Sequence, residues 1–293
     1  MNRQGLLAVC ILVILATPAL AQSDPLSRAG NKPVEPFHLI GNIYYVGASD
    51  VTSFLITTPQ GLILLDAGFA ETAPMIQKNI EKLGFKVSDV HFLLNSHAHL
   101  DHAGGLAALK EMSGAKMVSS AGDKPLLESG GHNDPQFGDR LLFPPVSVDQ
   151  VIGDGETIQL GDVVLHAALT PGHTPGCTTW AMQVKDGAKT YDVVFVCSTT
   201  APDPYRLVNN KAYSQIVTDY VHTFARLGTL PCDVFLASHG SFFHLADKMD
   251  QIATQSNPNP VIDPKGYQRF LAESEKAFRQ KLQKQTRAAS GAD

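Results

Sequence analysis

Apolar and polar positions along this chain follow two periods, and the points where one gives way to the other mark its elements. Asn42–Val46 and Ser53–Thr58 are rich in aromatic and β-branched residues and read as strands. Pro59-Gln60-Gly61 is a turn, and Leu62–Leu65 is a short buried strand that ends at Asp66. The spacing then changes. Met75, Ile76, Ile80 and Leu83 recur at helical intervals, with Gly84 behind them as a stop. Val90–Leu94 is again a strand, and Leu106–Met112 is helical with Gly114 after it. Residues 129–145 carry no period and several Gly, Asp and Pro, which describes a long surface loop. Val163–Leu169, Thr178–Val184 and Asp192–Cys197 are strands, the last two joined across Asp186-Gly187. Tyr213, Ile216, Val217, Tyr220, Phe224 and Leu227 mark an amphipathic helix closed by Gly228. Val234–Ala237 is one more strand, and Tyr267, Phe270, Leu271, Phe278 and Leu282 pattern a last helix before a polar tail.

Strands in clusters, interrupted by single helices, predict two sheets packed together with helices outside. The first residues stand apart from that pattern. Arg3, the unbroken apolar run Leu6–Ala16, Pro18 and Ala19-Leu20-Ala21 form an export signal, with cleavage expected after Ala21. The run is shorter than the about 20 apolar residues a membrane-spanning helix needs. Residues 1–21 are therefore read as a signal peptide and 22–293 as one domain of a periplasmic protein, off the membrane once cleaved and monomeric by default.

Of the 293 residues, 44% are hydrophobic and 17% charged, the balance of an ordinary globular chain. The net charge of −5 provides no basic field for phosphate backbones, which argues against a nucleic-acid partner. Cys177, Cys197 and Cys232 follow the signal, and an odd number in an oxidising compartment leaves at least one thiol unpaired.

The chemistry concentrates in His97-Ala98-His99-Leu100-Asp101-His102-Ala103-Gly104-Gly105, directly after a strand. Imidazole and carboxylate together suit zinc. In an extended segment side chains two apart point the same way, so His97 and His99 converge on one ion. Asp101 and His102 come where the chain enters the next helix and can face a second ion, with the glycines allowing a tight bend. Without a cation, three histidines and an aspartate so close would repel one another. His173, in Thr170-Pro171-Gly172-His173-Thr174-Pro175-Gly176, and His239, in Ser238-His239-Gly240, lie just beyond strands, where site residues are mounted on a rigid scaffold. Alone, each would be an ordinary loop histidine. With the cluster, each is a candidate ligand.

His97-x-His99-x-Asp101-His102, then His173 and His239, preceded by Asp66 in Leu65-Asp66-Ala67-Gly68, resembles the metallo-β-lactamase superfamily from about Ile43 to His239. Within it the chain is most similar to the subclass B3 enzymes, in His132–Asp139, in Gly172–Gly176 with Trp180 after it, and in Pro231–Val234. The resemblance implies an αββα sandwich, two mixed β-sheets flanked by helices, holding two Zn2+ ions at one end. It implies His97, His99 and His173 on the first zinc, Asp101, His102 and His239 on the second, and Asp66 bracing the metal loop. A metal-activated hydroxide would open a small-molecule β-lactam (penicillins, cephalosporins, carbapenems), with Asp101 orienting it. Ser198 and Thr200 match positions that grip the substrate carboxylate. Two departures stand out. Cys197 lies close to where another subclass places a cysteine ligand for the second zinc, and it is read here as buried and non-ligating. The usual partner of the cysteine at 232 is missing, since Asp263 and Pro264 stand near its place, which leaves Cys197 or Cys177 as the alternative partner.

Fold alone does not choose the substrate. Glyoxalase-type thioesterases and lactonases of the superfamily carry a metal-bridging aspartate where this chain has Phe195-Val196-Cys197-Ser198, and that absence, with the export signal, favours the β-lactam. A non-enzymatic periplasmic metal-binding protein would instead show missing ligands or a closed four-ligand site. Three ligands per ion leave a position open for water.

Overall fold

Leu62–Leu65 is apolar at every position because both faces of its strand are covered. Ile63 and Leu65 join the core between two sheets, whereas Leu62 and Leu64 join a second core beneath helices. The computed structural model describes residues 30–257 and 259–291. The export signal expected over residues 1–21 lies outside them.

The first sheet has seven strands in chain order: β1 (Phe37–Ile40), β2 (Ile43–Tyr45), β3 (Phe54–Thr58), β4 (Gly61–Leu65), β5 (Val90–Leu94), β6 (Lys116–Ser120) and β7 (Gln150–Ile152). Its first four strands are antiparallel and the rest parallel, so the sheet is mixed. Helices α1 (Ala73–Lys82), α2 (Leu100–Ala103), α3 (Leu106–Ser113) and α4 (Lys124–Ser129) lie in the connections between β4 and β7. The second sheet comprises β8 (Thr157–Leu160), β9 (Val163–Leu169), β10 (Thr178–Asp186), β11 (Lys189–Val196) and β12 (Val234–Ala237), in the order β12-β11-β10-β9-β8. Only β11 and β12 pair in parallel, across the connection that carries α5 (Ile216–Leu227). After β12 come α6 (Leu245–Ala253) and α7 (Pro264–Ser290).

Phe54, Ile56 and Leu94 of one sheet meet Leu165, Trp180, Phe195 and Leu236 of the other in the central core. Ile76 and Ile80 of α1, with Leu106 and Leu109 of α3, cover the outer face of the first sheet. Tyr267 and Phe270 of α7 pack on Phe235 of β12, so the layers run helix, sheet, sheet, helix, as the sequence implies. Among the described residues no helix is long and apolar enough to cross a membrane.

The predicted strands and helices all form, with ends shifted by a few residues. Short elements escaped the pattern. β1, β7 and β8 have three or four residues, too few to show a period, and β6 ends in two serines. The tail after Leu282 is polar yet helical, because α7 runs on to Ser290. Its start is set by Asp263, whose Oδ1 accepts from Gly266 N at 2.8 Å.

Cys197 is buried, in line with its reading as a residue off the metal. It is disulfide-bonded to Cys177, and Cys232 is the unpaired cysteine among the described residues. Cys177 precedes β10 and Cys197 follows β11, and these two strands are antiparallel neighbours. A bridge between such adjacent positions leaves no trace in spacing. Asp263 near the start of α7 bonds to Lys248 (3.5 Å) rather than offering a sulfur to Cys232.

Candidate metal centre

Every predicted ligand lies in a connection that follows a strand. His97 and His99 follow β5, with Asp101 and His102 in α2; His173 follows β9, and His239 follows β12. Both sheets contribute, which is why residues far apart in sequence converge. The loop after β5 is seated on the second sheet: Trp180 Nε1 donates to Asn95 O (3.2 Å) and Thr178 N to Ser96 O (2.8 Å). Thr52 Oγ1 donates to Ala237 O at 2.7 Å and fastens the His239 loop to the first sheet.

The glycines after His102 act differently from the sequence reading. Gly104 and Gly105 have φ of −57° and −84°, values open to any residue. They are needed for close approach, since a Cβ on Gly105 would meet Ala67 O at 2.3 Å. That contact lets Gly105 N donate to Gly68 O and Ala67 N to His102 O, locking α2 onto the loop after β4.

His97, His99 and His173 bring one nitrogen each within 4.8 Å of one another, and so do the ligand atoms of His97, Asp101 and His102. His99 Nδ1 faces His173 Nε2 at 3.1 Å. On the other side His102 Nε2 lies 3.2 Å from His239 Nε2 and 3.3 Å from Asp101 Oδ2, which is 3.6 Å from His239 Nε2. Ligands about 2.0 Å from a tetrahedral zinc stand roughly 3.3 Å apart. These separations fit that edge length. The donor set fits as well, being five imidazoles and one carboxylate, with His97, His99 and His102 buried. Cys177 and Cys197 also lie near His97, but their sulfurs are bonded to each other.

Electrostatics point the same way. Burial, followed by the neighbouring histidines, holds His97 well below the usual imidazole range. Burial, then His99, does the same for His173. Both are thus neutral and able to donate a lone pair. His102 is the exception. Burial opposes its charge, but the carboxylates of Asp101 and Asp66 outweigh it and push His102 up to about 10 in the metal-free cage. Asp101 is held well below the carboxylate range, its burial outweighed by His102 and His239. This half of the cage calls for positive charge, which a divalent cation supplies in place of the proton.

Around the cage sit groups that orient it. Asp66, 2% exposed, accepts Asn95 Nδ2 (3.0 Å) and Ser96 N (2.6 Å) on Oδ1 and Ser96 Oγ (2.6 Å) on Oδ2, which lies 3.4 Å from His102 Nδ1. Ser198 Oγ and Thr200 Oγ1 are 3.2 Å apart beside His173, whose Nδ1 donates to Thr200 O (2.8 Å). Sequence reasoning missed four more residues. Asp50 Oδ2 accepts His239 Nδ1 at 3.0 Å, Asp134 Oδ2 lies 3.3 Å from His99 Nε2, and Tyr205 OH donates to His173 O at 2.8 Å. Asp123 is the fourth. None lies near a ligand in sequence, so spacing could not have found them. His132 pairs with Asp139 at the surface, 3.3 Å apart.

The sequence profile of the metallo-beta-lactamase superfamily matches residues 46–239, the span that contains all six cage residues. The chain belongs to the metallo-beta-lactamase superfamily. The FEZ-1 metallo-beta-lactamase of Legionella gormanii is 41% identical, with a TM-score of 0.85 over 87% of this chain and 97% of that one. BJP-1, a subclass B3 metallo-beta-lactamase of Bradyrhizobium japonicum, is 42% identical, with a TM-score of 0.84 over 90% of this chain and 99% of its own. Among curated relatives, the hydroxyacylglutathione hydrolase of Maricaulis maris is 28% identical over 62% of this chain. The match spans 59% of that relative, and for the mouse persulfide dioxygenase ETHE1 only 41%.

Proposed function

We propose that this superfamily member hydrolyses the amide bond of β-lactams at a pair of zinc ions held by His97, His99 and His173 and by Asp101, His102 and His239. The observation that carries the reading is the near-full-length likeness, at 41–42% identity, to enzymes named metallo-beta-lactamases. Bound zinc supplies a Lewis acid and lowers the pKa of coordinated water from 15.7 to about 7. The chain's own groups do the rest. Asp101 stays ionised, and its half-open carboxylate accepts and orients a proton of the attacking water. Ser198 and Thr200 offer two hydroxyls, 3.2 Å apart, to the carboxylate that β-lactams carry beside the ring nitrogen. Asp50 holds the proton of His239 on Nδ1 and so keeps Nε2 free to face Asp101. Export to the periplasm would bring the enzyme to its substrate.

The partial likeness to hydroxyacylglutathione hydrolase and to an N-acyl homoserine lactonase supports a second reading, in which a thioester or lactone is cleaved. Purified protein should be assayed with a carbapenem, a chromogenic cephalosporin, a glutathione thioester and an acyl lactone, each with and without chelator. Chelator-sensitive ring opening of the β-lactams supports the first reading; cleavage of the thioester or lactone alone replaces it.

A further inference from the structure

Asp123 is a buried carboxylate beside the cage, and nothing in the proposed chemistry uses it. It stands between β6 and α4, 1% exposed. Its position just before α4 suggests a helix cap, but its side chain makes no capping bond to that helix. Its donors are elsewhere. Oδ2 accepts Ala98 N (2.9 Å) and Thr174 Oγ1 (2.9 Å), and Oδ1 accepts Gly176 N (2.8 Å). Ala98 separates His97 from His99, and Thr174 follows His173. One carboxylate thereby joins the loop after β5 in one sheet to the loop after β9 in the other. The seat is tight, since a Cβ on Gly176 would meet Asp123 N at 2.1 Å.

We propose that Asp123 is a positioning residue for the first metal: it sets the spacing between the His97–His99 loop and the His173 loop, so that three imidazoles are aligned before the cation arrives. This rests on the two-metal reading above. The carboxylate touches none of the ligands and acts through Ala98, Thr174 and Gly176. Without a cation its charge is costly, and burial pushes the carboxyl up to about 6. A divalent ion on the adjacent histidines lowers that cost, and by linkage the ionised carboxylate tightens the ion. Asp66 stands in the corresponding place under His102, so each half of the cage would have its own brace.

The test measures zinc affinity by competition with a chromophoric chelator in two backgrounds. His102→Ala leaves the first site, and His173→Ala leaves the second. Asp123→Asn keeps the shape but turns an amide NH2 toward a donor. We expect it to weaken the remaining site about 10–100-fold in the His102→Ala background and to leave affinity unchanged in the His173→Ala background. Thr174→Val, which removes one of the three bonds, should act in the same direction with a smaller loss, and it carries the test if Asp123→Asn fails to fold. In metal-free protein, amide exchange at Ala98 and Gly176 should quicken in Asp123→Asn. Equal losses in both backgrounds would make Asp123 a general stabiliser and overturn the proposal, as would unchanged affinity in the His102→Ala background. Wild-type protein that binds no zinc would overturn the centre itself and the proposal with it.

Discussion

Replacing Asp66 by asparagine separates charge from shape at the base of the proposed second metal site. Asp66 has φ of +61°, a left-handed conformation that asparagine also tolerates, so the backbone is spared. Alanine would add strain of about 1 kcal/mol and confuse the result. With its amide oxygen in the place of Oδ1, the substituted side chain would still accept Ser96 N and Asn95 Nδ2. Its NH2 would then stand where Oδ2 was, where Ser96 Oγ can turn to accept it. His102 Nδ1 cannot. Once Nε2 serves the metal, Nδ1 carries the proton and meets another donor. At 3.4 Å the original contact is longer than an ordinary hydrogen bond, so the loss belongs at the low end for a charged acceptor, about 1.5 kcal/mol. That is roughly tenfold in affinity. Zinc titration against a chromophoric chelator should show one of two binding steps weakened by about this factor, the same step that His102→Ala abolishes. If both steps keep their wild-type affinity, or if the loss falls on the step that His173→Ala abolishes, the assignment of Asp66 to the second ion is wrong.

Three further outcomes are expected. Asp50→Ala frees His239 Nδ1 from its partner; because Asp50 is partly exposed, the second-site loss should be no more than about tenfold, read in the same titration, and a loss confined to the first site would refute the pairing. In metal-free protein Asp123 has a folded-state pKa of about 6, above the about 3.9 of the unfolded chain. The sign follows: its contribution to stability is complete below about pH 4 and is lost as pH rises to about 6, by up to about 3 kcal/mol. Denaturation of the metal-free protein should therefore show a smaller advantage of wild type over Asp123→Asn at pH 7 than at pH 4.5. Burial, with Asp233, pushes the Cys232 thiol up to about 12, so native alkylation at pH 8 should be slow, while denatured, unreduced protein should show Cys232 labelled and Cys177 joined to Cys197 by mass spectrometry.

The six cage residues were legible in the sequence because metal chemistry restricts residue type and because four of them fall within six consecutive positions. The long periodic elements were legible for a similar reason, each side chain reporting one of two faces. What supports the cage was not. Asp50, Asp123 and Asp134 act across 189, 25 and 35 positions, on His239, Ala98 and His99, and such partners are set by how separate loops pack at the strand ends. The disulfide escaped because Cys177 and Cys197 sit at strand ends whose register appears only in the folded sheet. The glycines at 104 and 105 were marked correctly as special and given the wrong reason, since bending and close approach leave the same letter in the sequence.

The last helix reaches back to the centre. Gln285 of α7 donates to Tyr205 O and accepts Leu207 N, and Lys281 donates to Pro202 O, so α7 holds the segment from which Tyr205 leans on His173. A ribosome delivers all six cage residues well before residues 281–285 emerge. Until α7 docks, then, the histidines can gather while the wall beside His173 still lacks its support.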